Sequence, residues 1–197
     1  MCWSAGADLI VGSAVSAVGV AAVLRAGPGR RLPLAALPLL LGVHQLIEAG
    51  VWWGLPWATT LWAVIALPLL PVYVPAAVWC ATRRRSAAWF TALGAAVAVP
   101  LAVALARHPV TAHRHGHTLT YAIGVPAPAL LLIGYLAATI GPLLSSGDPR
   151  LRRLGTTIAL GALACALLWR LAFLSTWCAL AALTSLLLHR WARHPVD

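Results

Sequence analysis

A chain of 197 residues that is 61% hydrophobic and only 9% charged is not an ordinary soluble domain, where about a quarter of residues carry charge. Its formal net charge of +10 comes from arginine alone, and its mean hydropathy is +0.88. The arginines sit in short clusters between long apolar runs and not on an aromatic-interleaved face, which argues against nucleic acid and for the lipid bilayer as partner.

The apolar runs are read as spans of about 20 helical residues, the length that crosses a hydrocarbon core of about 30 Å. The first runs from Trp3 to Leu24. No basic residue precedes it and Arg25, Arg30 and Arg31 follow it, so it is expected to insert with its N-terminus outside and to stay uncleaved. The second span, Leu32 to Trp53, returns to a tight outer turn rich in interfacial tryptophan, Trp52 to Trp57. The third, Ala58 to Ala81, ends at Arg83, Arg84 and Arg85; it carries Pro68, Pro71 and Pro75, which point to a kink.

The fourth span, Ala87 to Ala106, leads to an outer loop, Arg107 to Thr120, containing His108, His113, His115 and His117. The fifth runs from Tyr121 to Leu144, and Ser145 to Arg153 form the third basic loop. The stretch from Leu154 to Trp191 is too long for one crossing and is split near Phe173 to Thr176 into a sixth and a seventh span. The expected fold is thus all-α. It is a polytopic bundle of seven transmembrane helices, N-terminus outside and C-terminus inside, forming a single domain over 1–197 in the plasma membrane. Small residues four apart, Gly12 with Ser16 and Gly94 with Ala98, mark close helix contacts.

Only four carboxylates exist, and two of them, Asp8 and Glu48, lie inside spans. Each is five residues from an outer tryptophan (Trp3 or Trp53), which places it about 7 Å below that surface at helical rise. Arg170 falls at a similar level in the sixth span. Ionisable groups at such depth face the bundle interior and mark function by default. His44 lies one turn from Glu48 on the same helix face, with Gln45 and Trp52 on much of that stripe. Cys2 and Cys178 lie at the same outer end and leave three readings open: a disulfide, a metal site, or inert thiols. His117, in the tract His113 to His117, joins them as a further metal candidate.

Three motifs carry a resemblance. The opening Met1-Cys-Trp-Ser-Ala5, the segment His44-Gln-Leu-Ile-Glu48 with Trp52, and Thr176-Trp-Cys178-Ala resemble a bacterial family of small seven-helix membrane proteins of unknown function. The usual opening of that family has Phe where this chain has Trp3. The resemblance implies that Cys2, Glu48, Trp177 and Cys178 belong to a shared site. A looser likeness is to the small membrane-bound terpene cyclases, whose acid in the second helix is similar in placement to Glu48. Their second acidic motif, in a late helix, is missing here, and Asp8 would have to serve.

The expected function is acid–base chemistry, cyclisation or isomerisation, on an apolar isoprenoid- or lipid-like small molecule in an outer-leaflet pocket. Glu48 is the expected general acid, His44 its orienting or relaying partner, and Asp8 the final proton acceptor. Trp52, Trp53, Trp169 and Trp177 are expected to line the pocket with Gln45 and Arg170, the π faces stabilising positive charge. Three other readings stay open: a small-molecule or proton-coupled transporter; a redox or metal protein built on Cys2, Cys178, His44 and Glu48, with haem conceivable through His44; and a packing or receptor-like subunit in which an ion pair of Glu48 with Arg170 only fixes helix register. The cofactor stays open between none and a metal ion at Cys2, Cys178 and His44. The oligomeric state is not legible.

Overall fold

The computed structural model describes residues 4–108, 110–116, 118–125, 127–168 and 184–192. Among the described residues, four helical segments are long and apolar enough to cross a membrane: Ala5–Ala26, Leu32–Trp52, Pro56–Thr82 and Arg85–Arg107. The first is α1. Its N-cap is Ser4, whose hydroxyl accepts from the Ala7 N–H at 3.2 Å, and Gly27, at φ +62°, ends it beside the first arginine cluster.

The second segment is broken. A short α2 (Leu32–Ala35) gives way at Ala36 to α3 (Leu37–Trp52), because Pro38 has no N–H for the carbonyl one turn before it. The third segment contains α4 (Pro56–Val64), a π-helical stretch over Ile65–Leu69, and α5 (Leu70–Thr82). The fourth is α6 (Arg85–Arg107). A two-stranded antiparallel hairpin follows, β1 (Thr111–His115) and β2 (Thr118–Ala122), turning at Gly116. Then come α7 (Pro128–Leu144), α8 (Pro149–Leu168) and a helix over 184–192.

Two expectations change. The stretch 107–120 is not an open loop, and Tyr121 does not begin a helix: the alternation Thr118-Leu-Thr-Tyr-Ala pairs as a strand, Thr111 opposite Ala122 and His113 opposite Thr120. The next helix starts only at Pro128 and has 17 residues, proline being favoured in a first helical turn. The expected turn near Phe173 to Thr176 lies outside the described residues.

The elements run up and down between two ends. Arg25, Arg31, Arg84 and Arg150 gather at one, the arginine end. Trp52, Trp53, Trp57 and the hairpin gather at the other, the tryptophan end. Each end has its own apolar core. Leu34, Val78, Leu143, Leu151, Leu154 and Leu188 fill the first, and Ile47, Val51, Ala58, Trp62 and Leu119 fill the second.

Close approach of backbones fixes the packing. α1 lies along α3 so tightly that a Cβ added at Gly42 would overlap Ser16, and one at Gly19 would overlap the Leu39 backbone. Gly12 of the same stripe sits against Gln45 and Leu46. Gly94 of α6 lies against the carbonyl of Pro71, which Pro75, one turn later, has no N–H to satisfy.

The π stretch has a similar logic. Leu70 donates its N–H five residues back, to Ile65, so the Ala66 carbonyl would need an N–H from residue 71, which is proline. The Tyr135 hydroxyl of α7 supplies the missing donor at 2.7 Å. The Tyr73 hydroxyl donates to the Pro33 carbonyl at 2.7 Å, beside the α2–α3 break.

Candidate functional site

The polar residues of the tryptophan end come from four elements. α3 contributes most, because its last two turns place His44, Gln45, Glu48 and Trp52 at i, i+1, i+4 and i+8, one side of a helix. α1 adds Asp8 from its first turn, α4 adds Trp62, and β2 adds Tyr121. Asp8 is 0% exposed and Glu48 1%, with His44, Gln45 and Trp62 also buried. Carboxylates so placed need hydrogen-bond partners.

Neutral N–H and O–H groups are among the partners. Glu48 Oε1 accepts from the Tyr121 hydroxyl at 3.0 Å, and Oε2 accepts from Gln45 Nε2 at 3.3 Å. Asp8 Oδ2 accepts from the Trp52 indole N–H at 2.9 Å. Trp52 sits one turn beyond Glu48 on α3, so this bond pins α1 to α3 and sets the second carboxylate beside the first.

An aromatic layer closes the cluster. Tyr121 stacks on Trp62 with centroids 3.7 Å apart and planes 6° apart. His44 stacks on Trp62 from its own helix at 5.3 Å and 28°. The hairpin thus serves as a lid, holding Leu119 in the core and Tyr121 over the acid. The Arg114 guanidinium of β1 lies 5.7 Å from the Trp52 ring, a cation over the rim of the same cluster. Three buried polar atoms, Asp8 Oδ1, His44 Nδ1 and Trp62 Nε1, have no hydrogen-bond partner among the described residues. Groups left in that condition in a buried site are available to a ligand or a proton.

Of the residues singled out from the sequence, Asp8, His44, Gln45, Glu48 and Trp52 meet here. Trp53 does not enter the buried cluster: it is 60% exposed, because one step along a helix turns a side chain by about 100° away from its neighbour. Cys2, Trp169, Arg170, Trp177, Cys178 and His117 lie outside the described residues. A cysteine–histidine metal site therefore has no described cysteine partner for His44, and no group of three His, Cys, Asp or Glu side chains suited to a metal occurs among the described residues.

Two members were missed. Trp62 was one tryptophan among several in an apolar run. Tyr121 reads as a helix start when joined to the apolar run after it, although the alternation around it carries the strand signal that brings it over Glu48.

No curated protein matches the chain, and no solved structure does. The likeness to terpene cyclases thus gains no support from these comparisons. One family pattern covers residues 1–196, almost the whole sequence, and the chain belongs to that family, a family of unknown function (DUF6629).

Proposed function

We propose that the protein is an integral membrane enzyme that performs acid–base chemistry, isomerisation or cyclisation, on an apolar isoprenoid- or lipid-like substrate. In this reading the chain makes seven crossings of the plasma membrane. Its arginine end faces the cytoplasm by the charge rule, and the carboxylate cluster lies in the outer leaflet. The 17 residues of α7 are at the short end of what a crossing requires.

One observation carries the reading. Two buried carboxylates from different helices stand in one cluster beneath a stacked aromatic layer, Glu48 accepting from Tyr121 and Asp8 from Trp52. Glu48 adds a proton to a carbon–carbon double bond of the substrate. The cationic carbon that results is stabilised by the π faces of Trp62, Tyr121 and Trp52. Asp8, through Oδ1, removes a proton from a neighbouring carbon, so the product has the mass of the substrate. His44, one turn from Glu48, passes the proton taken by Asp8 to solvent and reprotonates Glu48 from it, so each turnover draws its proton from water. A carrier would need a polar route toward the arginine end, whereas the residues packed beneath the cluster are mainly apolar, Leu34, Leu37, Leu70, Val74 and Val78, with the buried hydroxyls of Thr139 and Thr184 beside them.

The test uses membranes containing the wild-type chain, incubated in D2O with a panel of linear polyprenols. The expected result is a chromatographically shifted product that has gained one deuterium, absent with Glu48→Gln. Conversion by Glu48→Gln at the wild-type rate, or a product without deuterium, overturns the mechanism.

A further inference from the structure

The arginine end holds a cleft of about 460 Å3 that the outer chemistry does not use. Arg31, Thr82, Ser146, Asp148, Arg150 and Trp191 line it, bringing together the loop before α2, the end of α5, the α7–α8 loop and the helix over 184–192. Asp148 is its one carboxylate among the described residues, and its oxygens are already engaged. Oδ1 accepts from the Arg150 main-chain N–H at 2.8 Å, capping α8, and Oδ2 accepts from the Trp191 indole at 2.7 Å. The arrangement of Arg31 is built. Its guanidinium stacks 4.1 Å from the Trp191 ring centroid and donates to the Trp191 carbonyl at 2.8 Å.

A third guanidinium, of Arg84, lies against Gly147 on the wall of the cleft, in the space a side chain there would take. Two arginines in the lining and a third at its wall thus stand around one carboxylate, leaving a surplus of positive charge among the described residues. Burial holds the pKa of Arg31 below the usual arginine range, with Asp148 opposing and the Arg150 guanidinium adding to the shift. A setting topology alone needs charge near the interface but no such stacked, indented cleft.

We propose that this cleft binds a phosphate-bearing anion, with Arg31 and Arg150 as its guanidinium donors and the hydroxyls of Thr82 and Ser146 beside them. The phosphate belongs either to an anionic lipid headgroup or to a soluble phosphate compound. The site is independent of the chemistry proposed at the tryptophan end.

Thermal unfolding of the full-length protein distinguishes the sources. One arm titrates inorganic pyrophosphate into protein in a zwitterionic detergent. The other compares nanodiscs of phosphatidylcholine with and without phosphatidylglycerol. Stabilisation in the first arm identifies a soluble phosphate, and stabilisation in the second alone identifies a headgroup.

In either case Arg31→Gln, and the exposed and structurally safer Arg150→Gln, are expected to weaken the effect by about tenfold. Arg152→Gln removes the same charge two residues beyond the lining, about half a turn round α8, and is expected to leave the effect intact. Equal losses in Arg150→Gln and Arg152→Gln mean diffuse attraction and overturn the proposal. Absence of stabilisation in both arms does so too.

Discussion

The hydroxyl of Tyr121 offers the sharpest test of how the lid is held. Tyr121→Phe keeps the stack on Trp62, at 3.7 Å, and removes the 3.0 Å bond to Glu48. A hydrogen bond of this kind contributes about 1–1.5 kcal/mol net, so the hairpin should open about tenfold more often. Glu48→Gln is the informative companion. It retains an oxygen acceptor where Oε1 stands, and Gln45 can turn its amide to accept from the new NH2 group.

The lid should therefore stay closed in Glu48→Gln, with opening raised by less than about threefold if the bond survives in weakened form. Amide hydrogen exchange over residues 111–122, referenced to α7, reads both variants. If Tyr121→Phe leaves hairpin exchange unchanged, the bond to Glu48 does not anchor the lid. If both variants open it equally, Glu48→Gln is not a clean probe of proton transfer, and loss of turnover in that variant would reflect a lost lid.

Other outcomes follow from the packing. Tyr135→Phe leaves the Ala66 carbonyl without its donor and should cost about 1–2 kcal/mol, measured by reversible unfolding in mixed micelles. The same change in a Pro71→Ala background, where residue 71 regains an N–H, should cost almost nothing; an undiminished cost there refutes the π-register account. Gly94→Val drives a side chain into the Pro71 carbonyl and should destabilise by about 3 kcal/mol or more, read in the same assay. A neutral Gly94→Val would mean that α5 and α6 can separate freely.

Much of this was legible. Arginine clusters between apolar runs fix the first four segments to within a few residues, because a bilayer tolerates charge only at its edges. Asp8, His44 and Glu48 stood out because ionisable groups are costly in apolar helices, and their shared depth followed from helical rise alone. The hairpin was hidden because Tyr121 and Ala122 adjoin an apolar run and were absorbed into it. The Trp62–Tyr121 stack joins residues far apart in the chain, a pairing no local period encodes. Three prolines in one segment announced a distortion, but not that a tyrosine of α7 would fill the gap. Trp52 and Trp53 were grouped as neighbours in sequence, yet only the first faces Asp8.

The proline-rich third segment has a consequence for how the protein is made. Its Ala66 carbonyl is answered by Tyr135 and its Pro71 carbonyl is covered at Gly94, both of which leave the ribosome later. Until those parts of the chain arrive, the nascent segment presents bare acceptors to hydrocarbon. It therefore depends on the insertion machinery, or on water held there, to shelter it. Synthesis halted between residues 107 and 135 should yield a species that quality-control proteases recognise, although the four helical segments made by then are each long and apolar enough to cross a membrane.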